Sequence, residues 1–288
     1  MLKYHLLALS ATLVFNQAVA SIPLTTLQPV LEKNGSTEEV SRNIQLKNLW
    51  QSARGAESDS GADASAPTSA TGRNWTGPVT TDRVLAILID FPDYPVNSVT
   101  PELTQNYYPD YTVDHYQQML FSDTGYSGPS GENLLSMRQY YLDQSAGSYQ
   151  VEGQVVGWYR AQHNAAYYGA PSTTGAKDSA VRELVMEAIN QMAADDSVDL
   201  SYFDQEDRYD IDGDGNFREP DGIIDHVMVY HSSIDQAAGG GALGADAIWS
   251  HRWSVGFKAV GNSGYSVHDY TIQPVDGAAG VSAHEYGH

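Results

Sequence analysis

Two histidines and one glutamate at the C-terminal end of the sequence have the spacing of a metal site. They form His284-Glu285-Tyr286-Gly287-His288, an H-E-x-x-H pattern. In an α-helix, residues four apart lie about 40° apart around the axis and about 6 Å apart along it, so both imidazoles can reach one metal ion. Glu285 points about 100° away from His284, beside the metal, where it can take a proton from water. The pattern predicts a zinc site with His284 and His288 as ligands and Glu285 as general base.

A hydrolytic zinc site usually has three protein ligands and keeps its fourth position for water. The sequence ends at His288, on the second histidine of the pattern. We therefore expect the third ligand to lie downstream and the catalytic domain to be truncated at its C-terminal end. We also expect the chain as it stands to bind zinc weakly and to be poorly active. The alternative is a surface helix that carries two histidines by coincidence.

An acidic stretch at 210–221 has the spacing of a calcium loop. Oxygen ligands at alternate positions with a glycine at the sixth follow the logic of such loops, and Gly215 occupies that sixth position. Pro220 prevents an ordinary exiting helix, so the stretch is not a full EF-hand. The alternative is a solvated acidic turn, but three clustered aspartates without a cation would repel one another. The predicted calcium ligands are Asp210, Asp212, Asp214, the backbone carbonyl of Asn216, and Asp221.

The N-terminal part of the chain has the composition of targeting and processing segments. Residues 1–20 combine Lys3, a short apolar stretch and the small residues before Ala20, which predicts a secretory signal rather than a membrane anchor. Residues 21–50 contain one helical pattern and read as a propeptide segment, with an inert spacer as the alternative. Residues 51–79, rich in Ser, Ala and Gly, have the composition of a flexible linker. We expect a secreted zymogen whose catalytic domain covers 80–288.

Charge and composition exclude several classes of protein. The chain has 36 Asp and Glu against 15 Lys and Arg, a formal net charge of -21. Such a chain repels nucleic-acid phosphates and anionic lipid surfaces, so we expect neither as a partner. It has no cysteine, which excludes thiol nucleophiles, cysteine-ligated zinc and disulfides. No segment after the signal is apolar over the roughly 18 residues of a membrane span. Calcium would take the place of disulfides in stabilising an extracellular fold.

Apolar periodicity predicts an α/β (α+β) domain with a twisted mixed sheet. A continuous apolar run at 84–89 is typical of a strand buried on both faces. Ser136 and Gln139 form a capping box at the start of a predicted helix that Gly147 ends. The remaining predictions are helices at 113–122, 136–146, 179–194 and from near Gly280, and strands at 149–160, 223–231, 247–253 and 265–274.

Several other polar residues have weaker patterns. Asp225, His226 and His251 are expected to be structural hydrogen-bonding groups, or supports for a zinc ligand. The segment from Gly261 to Gly264 is expected to be a hairpin turn. The paired tyrosines, such as Tyr140 and Tyr141, are expected to lie in the core or at its rim.

Five blocks of the sequence, in order, resemble the immune inhibitor A family of secreted bacterial zinc metallopeptidases. The resemblance implies a zincin-like catalytic domain with its active-site helix, in which His284 and His288 bind zinc and Glu285 is the catalytic base. It also implies that the acidic loop binds calcium and that the third zinc ligand follows the last block. The five blocks are VLAILIDFPD (84–93), SMRQYYLDQSAGSY (136–149), DIDGDGNFREPDGIIDHVMVYH (210–231), DAIWSHRW (246–253) and AHEYGH (283–288).

The expected function is therefore zinc-dependent hydrolysis of peptide bonds within proteins, with calcium stabilising the fold. Two alternatives belong to other classes. A calcium-stabilised binding or adhesion module would keep the acidic loop but have a degenerate protease site. A zinc hydrolase of non-peptide amides would keep the zinc helix yet fail on protein substrates.

Overall fold

The computed structural model describes residues 75–175, 177–195 and 197–288. The predicted signal (1–20), the propeptide segment (21–50) and residues 51–74 of the predicted linker lie outside these ranges. The helices and strands along the described chain are β1 (Thr80–Asp90), α1 (Val113–Phe121), β2 (Tyr126–Ser127), β3 (Asn133–Leu134), α2 (Met137–Gln144), β4 (Tyr149–Arg160), α3 (Ala165–Gly169), α4 (Val181–Met192), β5 (Ile223–Ile224), β6 (His226–His231), β7 (His251–Ala259), β8 (Ser266–Pro274) and α5 (Ala279–Tyr286).

A mixed sheet forms the centre of the fold. Its strands β4, β1, β6 and β8 lie side by side in that order and are all parallel. The short strand β5 pairs in parallel with the beginning of β8, and β6 pairs in the same register with the end of β8. On the other side of β8, strand β7 runs antiparallel. The predicted α/β class with a mixed sheet is confirmed.

Strand β1 contributes to two cores, one on each face of the sheet. Leu85, Ile87 and Ile89 pack with the apolar residues of α4, including Leu184. The alternate residues Val84, Ala86 and Leu88 pack with residues of α1, α2 and α5, including Ala283. The continuous apolar run of this strand therefore reflects burial on both faces, as its sequence predicts. The result is a sheet between two helical layers.

Most predicted elements match the structure, and two of the predicted strands have different bounds in it. The strand 149–160 is confirmed as β4, and Ser136 and Gln139 form the predicted capping box on α2. The strand 223–231 is interrupted because the Asp225 N–H donates to the carbonyl of Phe203. The strand placed at 247–253 begins only at His251 and extends to Ala259. Ile248 and Ser250 bond to the loop at 235–236, and the Trp249 N–H donates to Asp178, so none of the three pairs with β8.

The helices are short. The longest of the five, α4, has 12 residues and presents its apolar stripe to the sheet, as the sequence predicts. Helix α3 and the hairpin of β2 and β3 were not predicted, because elements of five and two residues are too short to show a period. No helix in the described part of the chain has the length and apolar composition to cross a bilayer.

Strands β1 and β4 pack too closely at Gly153 to accommodate a side chain. A Cβ at Gly153 would clash with the carbonyl oxygen of Val84 and lie 2.8 Å from the Phe121 ring. We predict that Gly153→Ala lowers the free energy of unfolding by about 1–3 kcal/mol, as overpacking does. Urea denaturation would measure this change. The control, Gly280→Ala, adds a methyl group into open space on helix α5 and should not destabilise. Equal stability of both variants would contradict the close packing.

Candidate metal centre

Helix α5 carries the H-E-x-x-H pattern and lies against the sheet. The chain leaves β8 through a turn closed by the Gly277 N–H and the Pro274 carbonyl, 3.0 Å apart, and enters the helix at Ala279. Small buried residues, Ala279 and Ala283, face the core and let the helix backbone approach the sheet closely. The hydroxyl of Ser282 bonds to that of Tyr230 on β6. The apolar and small residues before the pattern thus place its histidines at the exposed end of the helix.

The two histidines of the pattern point at one another. Their Nε2 atoms are 3.2 Å apart, and their ring planes are nearly perpendicular. Two nitrogens bound tetrahedrally to zinc at 2.0–2.1 Å would be about 3.3–3.4 Å apart. The spacing of the two nitrogens therefore fits a shared zinc ion. Helix α5 ends at Tyr286, so His288 reaches this position from just beyond the helix.

Glu285 completes the group. One ligand atom from each of His284, Glu285 and His288 lies within 4.8 Å of the other two. The Glu285 residue is only 7% exposed, whereas His288 is open to solvent. A carboxylate held in this protected position, next to two imidazoles, can accept a proton from a water molecule at the metal position. The structure thus brings together the three residues that the sequence pattern singles out.

Three tyrosine side chains and one aspartate hold the last turn of α5. The Tyr141 hydroxyl donates to the Ala283 carbonyl at 2.7 Å, and the Tyr286 hydroxyl donates to Asp82 Oδ2 at 3.1 Å. The Tyr149 hydroxyl donates to the same oxygen at 2.7 Å. Burial raises the pKa of Tyr286, so its hydroxyl remains a donor.

The carboxylate of Asp82 stays ionised although burial opposes its charge. Burial alone would raise its pKa, but hydrogen bonds from His226, Tyr149 and Tyr286 lower that pKa to about 2. Sequence reasoning missed Asp82 and Tyr149. The available signal was a charged residue just before the apolar run of β1, because a charge that is partly buried at such a place needs partners.

The three polar residues with weaker patterns lie outside the group of His284, Glu285 and His288. His226 Nε2 lies 3.5 Å from Asp82 Oδ2, and its ring packs against Tyr286. His251 is structural, since its ring nitrogens lie 2.7 Å from the Trp249 carbonyl and 3.0 Å from the Tyr270 hydroxyl.

Asp225 accepts from the Gln205 N–H, and burial together with Glu206 and Asp204 raises the pKa of Asp225 to about 7.

The acidic loop brings three of its predicted ligands together. Oxygens of Asp210, Asp212 and Asp214 lie within 4.8 Å of one another. Gly213 and Gly215 both have positive φ, which lets the loop curl around its own carboxylates. A second group combines Asp212 and Glu219 of the loop with Asp207, which lies just before the loop.

The two remaining predicted calcium ligands lie outside these groups. The side-chain amide of Asn216 donates to Glu219 Oε2 at 2.6 Å; the prediction assigned its backbone carbonyl to the ion. The Asp221 Oδ1 atom accepts from the Ile223 N–H at 2.7 Å, and its Oδ2 atom is buried without a hydrogen bond. The loop therefore holds more carboxylates than the sequence pattern assigned to it.

A cavity of about 360 Å³ opens beside His288. Arg208 and Arg252 line it, and both lie close to Asp269, with N–O distances of 3.8 and 2.6 Å. Tyr149 and Tyr286 also line this cavity. A cavity of this size can receive a side chain of a bound peptide.

Comparisons with known proteins point to one family. The profile described as immune inhibitor A peptidase M6, catalytic domain, matches residues 70–288. The pre-pro-metalloprotease PrtV of Vibrio cholerae serotype O1 is 55% identical over 221 residues, which make up 72% of this chain and 24% of that protein. Immune inhibitor A of Bacillus thuringiensis subsp. alesti is 42% identical over 243 residues, 79% of this chain and 35% of that protein. The chain thus spans about a quarter to a third of the length of these curated relatives.

Proposed function

This chain belongs to the immune inhibitor A peptidase M6 family, and we propose that it is a zincin-type catalytic domain that hydrolyses peptide bonds within proteins. The profile is described as a peptidase catalytic domain, and the Vibrio cholerae relative is named a metalloprotease. The observation that carries the proposal is the 3.2 Å separation of the two Nε2 atoms, with Glu285 beside them. His284 and His288 would hold the zinc ion, and a hydrolytic zinc site takes one further protein ligand besides these two.

Zinc bound at this position would polarise the scissile carbonyl and lower the pKa of water to about 7. The chain's own contribution is to orient and to move protons. Glu285 takes the proton of the attacking water and delivers it to the leaving amine. Because Glu285 is buried in helix α5, its carboxylate is held in place before the substrate arrives. His284 and His288 fix the position at which the reaction occurs.

We further propose that the substrate lies extended along strand β7. Within the described residues, β7 is an edge of the sheet and also contacts α5. An extended peptide can add a strand to such an edge through backbone hydrogen bonds, which accept many side-chain sequences. Trp253 and Phe257 on this strand are exposed and could contact the substrate.

We propose that the acidic loop binds calcium and thereby stabilises the domain. The carboxylates of Asp210, Asp212 and Asp214 converge in a chain that has no disulfide. Oxygen ligands of this kind suit calcium, and a cation would relieve their mutual repulsion. Asn216 and Asp221, the other predicted ligands, border the same loop. The signal-like composition of residues 1–20 supports secretion into the extracellular space, where calcium is available. The composition of residues 21–50 supports a propeptide.

Exchanging the proposed base should abolish cleavage without removing the metal. In protein expressed from the complete gene, Glu285→Gln should lower the rate of casein hydrolysis by about 10²–10⁴-fold. Zinc content should not change, because both histidines remain. The control Glu102→Gln alters an exposed glutamate and should cleave like the natural protein. Undiminished hydrolysis by Glu285→Gln would contradict the proposed role.

The same assay separates the alternative functions. A natural protein that binds zinc but cleaves only small non-peptide amides would be the amide hydrolase. A processed natural protein that binds calcium and zinc and cleaves neither substrate would be the binding module.

Removing a carboxylate shared by both acidic groups should weaken calcium binding. Calcium at 100 times its Kd would stabilise the natural protein by about 2.7 kcal/mol, and Asp212→Asn should lose most of this stabilisation. Thermal unfolding with and without calcium would measure the loss. Asp246→Asn, an exposed aspartate outside the loop, is the matched control. An equal calcium response in both variants would exclude the loop as the site.

A further inference from the structure

The last turn of the metal helix is tied to the sheet through one carboxylate oxygen. Asp82 Oδ2 accepts from Tyr286 at 3.1 Å and from Tyr149 at 2.7 Å, and the two hydroxyl oxygens are themselves 2.9 Å apart. Tyr286 belongs to α5, Tyr149 begins β4, and Asp82 lies in β1. We call these three residues the helix anchor. It joins the end of α5 to two neighbouring strands.

The helix anchor lies where a small movement would separate the histidines. Tyr286 is the central residue of the pattern, between Glu285 and Gly287. His288 lies beyond the helix end, where its N–H is 3.4 Å from the Glu285 carbonyl oxygen. A metal site requires ligand distances within about 0.2 Å of their ideal values. The orientation of Tyr286 therefore decides whether the two Nε2 atoms meet at one point.

A second set of contacts reaches Asp82 from the acidic loop. Arg218 Nη1 lies 3.6 Å from Asp82 Oδ1 and also pairs with Glu206. Asp82, Glu206 and His226 are close enough together to be metal ligands themselves. However, the guanidinium of Arg218 already supplies positive charge between the two carboxylates. These contacts indicate an ion-pair cluster that reaches Asp82 through Oδ1, whereas the two tyrosines donate to Oδ2.

We propose that Asp82 is a positioning residue for the paired imidazoles of His284 and His288. It holds Tyr286 in place and is itself oriented by Arg218 of the acidic loop. Asp82 lines the cavity beside His288 but is not one of the three residues that converge at the metal position, and it acts on them through Tyr286. Loss of its carboxylate would let the last turn of α5 rotate and would spread the two imidazoles. The proposal rests on the proposed function, because it assumes that His284 and His288 share a metal ion.

Cobalt can report the geometry of the site independently of catalysis. The protein from the complete gene would be compared with Asp82→Asn and Tyr286→Phe, each loaded with Co²⁺, and zinc affinity would be measured by competition with a chelator. We expect both variants to bind zinc about tenfold more weakly, the low end of the loss seen when a ligand's supporting partner is removed. Their visible Co²⁺ spectra should shift in the same direction. The control Tyr140→Phe removes an exposed hydroxyl on α2 and should change neither.

Each outcome decides between distinct explanations. Unchanged zinc affinity and spectra in both variants would overturn the positioning role. If the natural protein bound a second metal ion that Asp82→Asn lost entirely, the positioning role would also be overturned, since Asp82 would then be a ligand of that ion together with Glu206 and His226. If Asp82→Asn fails to fold, Tyr286→Phe decides the question, because it removes only one hydroxyl group. A natural protein that binds neither zinc nor cobalt would instead refute the proposed function.

Discussion

The constraint on which the structure depends is the approach of two imidazole nitrogens to 3.2 Å. Two neutral rings at this distance can share only one proton, and two protonated rings would repel each other. A cation between the nitrogens of His284 and His288 would avoid both situations, because each neutral ring would then present a lone pair to the cation. The fold must therefore deliver both rings to one point and keep them there before any ion arrives.

The rest of the domain meets this requirement by fixing one short helix. Helix α5 has only eight residues, which is too short to be stable alone in water. It is held by burial of its small residues against the sheet and by hydrogen bonds from Tyr141 and Tyr286. The sheet is in turn held in place at β1, because the residues of this strand pack into the cores on both faces of the sheet. Asp82 belongs to that same strand and lies two residues before its buried run begins at Val84, so the helix anchor is attached to the strand that both cores hold.

Local patterns predicted those features that neighbouring residues determine. The metal helix, the buried strand at 84–89 and the capping box of α2 each follow from a period or a spacing within one segment. Asp82, Tyr149 and Tyr286 could not be grouped in this way, because 67 residues separate the first two and 204 separate Asp82 from Tyr286. The late start of β7 has the same cause, since distant loop residues take the hydrogen bonds of its first predicted residues.

The zinc content of the protein shows whether His284 and His288 hold a metal ion together. The protein from the complete gene would be dialysed against a weak chelator, and its zinc would be compared with that of His288→Ala. We expect about one tightly held zinc per chain in the natural protein and almost none in the variant, because His288→Ala removes one of the three protein ligands that such a site needs. Equal zinc in both proteins would contradict a zinc ion shared by His284 and His288, since the ion would then be held by other residues.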